Sequence, residues 1–192
     1  MEHTPTYDQL FEETLDKTTI FEGHVVHLQK DSVRLINGKT VTREVVRHNG
    51  GVAVLALNEA NEVYFVSQYR YPLAKVLTEL PAGKLDGAIG SKEEDHLAAA
   101  KRELQEETGL VATHYHSLGA IYPTPGFCDE VLHMYLATGL SQHESNPDDD
   151  EFLNVIKVPF ETALAQVMSG ELQDGKTVAA ILKAKIFLDQ QK

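Results

Sequence analysis

Arg102-Glu103-Leu104-Gln105-Glu106-Glu107-Thr108-Gly109-Leu110 places three carboxylates on the last turns of a predicted helix. Side chains in a helix advance by about 100° per residue, so Glu103 and Glu107 lie about 40° apart, with Glu106 on the other side of Glu103. Acids at i and i+4 weaken a helix by roughly 0.2 to 0.5 kcal/mol, so these positions either solvate a surface or hold a cation. Leu97, Ala100 and Leu104 recur at i, i+3 and i+7 and form the apolar stripe. Glu103 and Glu107 flank that stripe and belong where the helix edge meets the protein body. Glu106 points further out and can pair with Arg102 one turn earlier. Gly109 supplies the left-handed residue that ends the helix. Upstream, Ser91-Lys92-Glu93-Glu94 has the form of a capping box and predicts that the helix starts at Ser91.

A single Glu-Glu pair is most often a solvated acidic face. The full pattern, Arg-Glu-aliphatic-x-Glu-Glu-x-Gly-aliphatic, would arise by chance in about one chain of this length in a hundred thousand. A divalent-metal site is therefore the leading reading. Hard oxygen ligands suit Mg²⁺, with Mn²⁺ as the alternative.

Composition limits the other classes. The chain has 192 residues, 42% of them hydrophobic, enough for one domain of ordinary size with a small appendage. Its net charge of −12 repels phosphate backbones and argues against nucleic-acid partners. The longest apolar run, Val52 to Leu57, is too short to cross a membrane, and Met1-Glu2-His3 opens no signal peptide. A cytoplasmic, soluble protein is expected. The single Cys128 excludes an internal disulfide and reads as packing, not as a nucleophile. None of the nine histidines has the spacing of a zinc helix.

Along the chain, alternating segments at Thr19 to Leu28 and Val33 to Leu35 lead through the Asn37-Gly38 turn into Thr40 to His48, a hairpin signal. Strands are predicted at Val52 to Leu57, Val63 to Tyr69, Tyr115 to Ile121, Val131 to Leu136 and Phe152 to Val158. Helical patterns follow at Phe160 to Met168 and Val178 to Leu188. This mixture suits an α/β fold with a sheet between helices, preceded by an antiparallel β extension over residues 1–48.

The stretch from Gly83 to Leu110 resembles the signature of the Nudix hydrolases. One departure is visible: the family pattern places a glycine six residues before its first glutamate, whereas Gly83 precedes Glu94 by eleven and Ala88 holds the six-back position. With Gly87 and Gly90 present, the segment Lys84 to Gly90 reads as a lengthened loop. Further motifs resemble the ADP-ribose pyrophosphatase branch, from Thr42-Arg43-Glu44 to Asp174-Gly175-Lys176-Thr177. Between them lie Gln68-Tyr69-Arg70, Glu79-Leu80-Pro81-Ala82-Gly83 and Thr124-Pro125-Gly126-Phe127. Taken singly, Pro125-Gly126 is first of all a turn, and Arg70 or Glu79 could belong to an ordinary ion pair.

The resemblance implies an α/β/α sandwich over residues 49–192 and a homodimer joined through the amino-terminal strands. It further implies Mg²⁺-dependent hydrolysis of ADP-ribose to AMP and ribose 5-phosphate. Another nucleotide sugar, a dinucleotide, or nucleotide binding without cleavage are the alternatives. Glu103, Glu106, Glu107 and the carbonyl of Ala82 would hold the metal, and Arg102 would orient Glu106. The acidic run Asp148-Asp149-Asp150-Glu151 would supply the general base from Asp148, Asp150 or Glu151, although it also reads as a solvated loop. Arg70 is the leading phosphate contact, with Glu79 and Glu130 second and Pro125 marking the ADP-ribose preference. Arg43, or an aromatic such as Phe21 or Tyr7, would contribute to adenine binding across the dimer.

Overall fold

The computed structural model describes residues 6–87, 94–146 and 152–191. The chain divides into two compact units, one of residues 1–48 with 124–130, the other of residues 49–123 with 131–192.

In the first unit, β1 (Glu13–Glu22), β2 (His27–Arg34) and β3 (Thr40–Arg47) form an antiparallel meander. The β2–β3 turn is the one expected at Asn37-Gly38: Gly38 has φ of 80°, and the Asn37 side chain accepts the Lys39 N–H at 3.0 Å. The predicted segment Thr19 to Leu28 is instead two strands with a turn between them. Ile20, Phe21, Val25 and Val26 look continuous by pattern, but Gly23 breaks the run and its N–H donates to the Val26 carbonyl at 2.9 Å. Residues 127 to 129 run beside β3, where Val46 donates to the Phe127 carbonyl and accepts from the Asp129 N–H. Arg47 bridges the buried Asp31 and Asp129, both at 3.1 Å.

In the second unit the order is β4 (Gly51–Ala56), β5 (Glu62–Arg70), β6 (Lys75–Glu79), β7 (Ala82–Lys84) and α1 (His96–Thr108). Then come β8 (Leu110–Ile121), β9 (Leu132–Gln142), β10 (Asn154–Pro159), α2 (Phe160–Ser169) and α3 (Gly175–Asp189). One sheet has the order β7-β4-β9-β8, with β4 and β9 parallel, and the other is antiparallel β10-β5-β6. Strand β4 is buried from end to end, as expected for a strand in a parallel pair covered on both faces. Its alternation splits the core. Ala53 and Leu55 pack with Phe65, Met134, Phe160 and Ile181, while Val52, Val54 and Ala56 pack with Ala100, Leu104 and Tyr135. Helix α1 thus covers one face and α2 with α3 the other, which is the expected α/β/α sandwich.

The start of α1 corrects the capping-box expectation. Asp95, not Ser91, is the N-cap, and its carboxylate accepts the N–H groups of Leu97 and Ala98 at 3.0 and 3.1 Å. Ser91 lies outside the described residues, and Glu94 is committed elsewhere. The other end is as read: Gly109 has φ of 69°, and a Cβ there would strike the carbonyl of His143. Because that residue turns the chain at once, β8 begins at Leu110, five residues before the predicted strand. Leu104 is fully buried, which contributes roughly 1.5 to 3 kcal/mol and outweighs the repulsion among neighbouring acids.

Candidate active site

Helix α1 turns Glu103 and Glu107 inward, leaving them only 8% and 5% exposed. Their surroundings come from the short strand β7, which the sequence pattern did not predict. Ala82 and Gly83 pair with Ala53 and Val52 of β4. The Ala82 N–H donates to the Glu107 carboxylate at 3.1 Å. The Glu103 carboxylate lies over Gly83, in space that a Cβ on residue 83 would fill.

Arg102 gathers the rest of the acids. Its Nη1 donates to Glu103 at 2.8 Å and Glu106 at 2.9 Å, while Nε and Nη2 each donate to Glu94 at 3.1 Å. The expected Arg102–Glu106 pair is therefore present, alongside pairs with Glu103, Glu94 and, at 3.6 Å, Asp86. Glu94 also accepts the Asp86 N–H at 2.7 Å, so it links the loop after β7 to the helix. The hydrogen bonds from Arg102 hold the Glu94 carboxyl below the usual range, and the same contacts raise the guanidinium pKa. One guanidinium faces four carboxylates with Glu107 alongside, an arrangement in excess of negative charge.

This donor set fits a hard divalent cation. All its side-chain atoms are carboxylate oxygens, and the missing Cβ at Gly83 keeps the Glu103 oxygens beside the β7 backbone. Among the described residues no three acidic, histidine or cysteine side chains already close around one point. Magnesium does not require such a cage, since it keeps several waters and takes one or two carboxylates.

A second charged cluster lies behind β7. Glu79, 1% exposed, accepts Arg70 Nε and Nη2, both at 2.7 Å, and is paired with Lys176. Lys176 also pairs with Asp174 at 3.0 Å. Burial alone would raise the Glu79 pKa, but the bonds from Arg70 and the charge and bond of Lys176 outweigh it and hold the carboxyl low. The two predicted contacts Arg70 and Glu79 are thus bound to each other, Glu79 buried and Arg70 still partly exposed.

The other predicted residues are distributed as follows. Arg43, Pro125 and Glu130 belong to the first unit, where Arg43 binds Glu12 at 2.6 Å. Asp148, Asp150 and Glu151 lie outside the described residues. Lys176, Asp174 and Thr177 were not foreseen as partners of the Glu79 segment. The available signal was the Asp174-x-x-Thr177 spacing, which is that of a helix cap. The histidines also hold an unforeseen cluster: His96 and His133 stack with centroids 4.1 Å apart, and the Tyr135 hydroxyl meets His96. Burial and the neighbouring His96 push the His133 pKa down.

Comparison with known proteins agrees with this geometry. The NUDIX domain pattern matches residues 47–181. The chain is 45% identical to the methanol dehydrogenase activator of Bacillus methanolicus, over 90% of this chain and 92% of that protein. It is 43% identical to the ADP-ribose pyrophosphatase of Bacillus subtilis (strain 168), over 95% and 98%. A crystal structure of an ADP compounds hydrolase superposes with a TM-score of 0.81 at 18% identity, covering 94% of this chain and 95% of that one, and supports the fold. With the domain pattern spanning most of the chain and relatives matched nearly end to end, the protein belongs to the NUDIX domain family.

Proposed function

We propose that the protein hydrolyses the diphosphate bond of ADP-ribose to AMP and ribose 5-phosphate. The observation that carries this reading is the convergence of the α1 carboxylates on Ala82 and Gly83 of β7, in a chain 43% identical to a relative named ADP-ribose pyrophosphatase. Glu103, Glu106 and Glu107, with the Ala82 carbonyl, hold Mg²⁺, and Mn²⁺ can take its place. When bound, the ion neutralises the diphosphate and lowers the pKa of a water. Arg102 keeps Glu103 and Glu106 together against their mutual repulsion. Arg70, its guanidinium oriented by Glu79, contacts phosphate oxygens. Glu130 serves as a further contact to the diphosphate and ribose, Arg43 contributes to adenine binding across the dimer, and Pro125 marks the ADP-ribose preference. The general base is drawn from Asp148, Asp150 or Glu151.

Incubation with Mg²⁺ and ADP-ribose is expected to release AMP, followed by chromatography. Absence of turnover at every divalent concentration, or faster cleavage of GDP-mannose or a dinucleotide, would reject ADP-ribose as substrate. A second reading is favoured by the 45% identity to a methanol dehydrogenase activator: stimulation of a dehydrogenase. Faster methanol oxidation on adding this chain, with ADP-ribose left intact, would select it.

The amino-terminal unit serves as a dimerisation arm in this proposal. Strand β1 is exposed along its whole length, and the unit carries exposed Phe11 (71%) and Ile20 (54%), the kind of apolar surface a second copy covers. Sedimentation is expected to give twice the chain mass, and the double variant Phe11→Glu/Ile20→Glu to give the single mass with its fold intact. A monomeric wild type removes this part of the proposal. A cytoplasmic setting is consistent with the single cysteine. Among the described residues no helix is long and apolar enough to cross a membrane.

A further inference from the structure

Five consecutive residues, Glu79 to Gly83, lead from β6 into β7, and each is tied to a neighbour. Glu79 is gripped by Arg70 and Lys176. The Leu80 N–H donates to Thr177 Oγ1 at 2.9 Å, and the Pro81 carbonyl accepts the Val54 N–H at 2.9 Å. Ala82 donates to Glu107, and Glu103 lies over Gly83. The ties at Ala82 and Gly83 come from α1 and carry the proposed metal ligands. Those at Glu79 and Leu80 include Lys176 and Thr177 of α3, on the opposite face of the sheet, and these two α3 contacts have no role in the chemistry described so far.

Thr177 is fully buried. Its hydroxyl donates to Asp174 at 2.6 Å while accepting from Leu80, and the same Asp174 oxygen accepts the Thr177 N–H at 3.0 Å. Capping α3 needs only the bond from the Thr177 backbone to Asp174, which any residue at 177 other than proline could make. Among the described residues the hydroxyl's other partner is the Leu80 peptide, a bond that capping does not call for.

We propose that Thr177, oriented by Asp174, is a positioning residue: its hydroxyl fixes the Leu80 peptide, and thereby the Ala82–Gly83 segment of β7 against which Glu103 and Glu107 are set. One residue, Pro81, separates Leu80 from the start of β7, two peptide steps or about 7 Å of chain, so loosening the anchor is felt at the strand. Displacements of about 1 Å at a catalytic constellation can cost up to a hundredfold in rate. The inference rests on the metal-dependent function proposed above and assigns that site a support on the far side of the sheet.

The test compares Thr177→Val, which keeps the shape and removes the hydroxyl, with Thr177→Ser, which keeps the hydroxyl. Mn²⁺ binding without nucleotide is read by water-proton relaxation, kcat and KM for ADP-ribose by AMP release, and folding by the melting temperature. The Val variant is expected to bind Mn²⁺ about tenfold more weakly and to lose about tenfold in kcat with KM little changed, and the Ser variant to recover both. As a control, Ala163→Gly loosens the same core from α2 and should lower the melting temperature without changing Mn²⁺ affinity. A folded Val variant with wild-type Mn²⁺ affinity and kcat overturns the inference while leaving the proposed function standing. Should the Val variant not fold, Asp174→Asn, which can still cap α3, is expected to weaken Mn²⁺ binding in the same direction, and no change there overturns the inference too. A wild type that takes up no Mn²⁺ sinks the proposed function and the inference with it.

Discussion

Glu107→Gln is expected to lower kcat about a thousandfold, close to 4 kcal/mol of lost transition-state stabilisation, while the protein stays folded. Glutamine has nearly the same shape, and its carbonyl oxygen can still accept the Ala82 N–H that Glu107 accepts at 3.1 Å. The β7 backbone therefore keeps its partner, and only the charge is removed. Because Glu107 is almost fully buried, that charge is little screened by solvent and its loss is felt strongly at a bound cation. Circular dichroism should be unchanged and Mn²⁺ binding weakened together with kcat. Unaltered turnover in a folded variant would mean that α1 does not carry the metal.

Gly83→Ala should produce the second largest effect, by geometry instead of charge. The new Cβ would occupy the space of the Glu103 carboxylate. That carboxylate is the far end of a flexible side chain, so the clash resolves when Glu103 swings aside, at a stability cost of about 1 kcal/mol. The displaced group is a proposed metal ligand, and kcat is expected to fall about a hundredfold. The contrast with Gly51 makes the cause testable. A Cβ at Gly51 would lie 2.9 Å from the Gly83 carbonyl, and the backbone of a paired strand has no rotamer to retreat to. Gly51→Ala should therefore lower the melting temperature more than Gly83→Ala does. A Gly83→Ala enzyme with full activity would place Glu103 outside the metal site.

These effects depend on a part of the molecule that pattern reading did not recover. The strands β6 and β7 were unpredicted, because five and three residues are too short for an alternation to register, and Leu80-Pro81-Ala82-Gly83 has the composition of a loop. What makes β7 a strand is its pairing with β4, thirty or so residues earlier, a contact with no local signature. The helix start was misplaced for a related reason. Ser91 and Glu94 have capping-box spacing, but Glu94 is drawn to Arg102, about two turns into α1, and Asp95 is left to cap.

Chain order alone was enough for the features whose causes are local. The apolar stripe of α1, its end at Gly109, the inward placement of Glu103 and Glu107 and the pairing of Arg102 with Glu106 follow from helical periodicity within a dozen residues. The fully apolar run Val52 to Leu57 likewise announced the strand β4. Folding in three dimensions decided which backbone those carboxylates meet and what stands behind it. Lys176 and Thr177 each reach across 97 residues to Glu79 and Leu80, and Glu107 crosses 25 to Ala82. Contacts of that separation are selected by how two faces of a sheet are covered at once, and no periodicity along the chain encodes that choice.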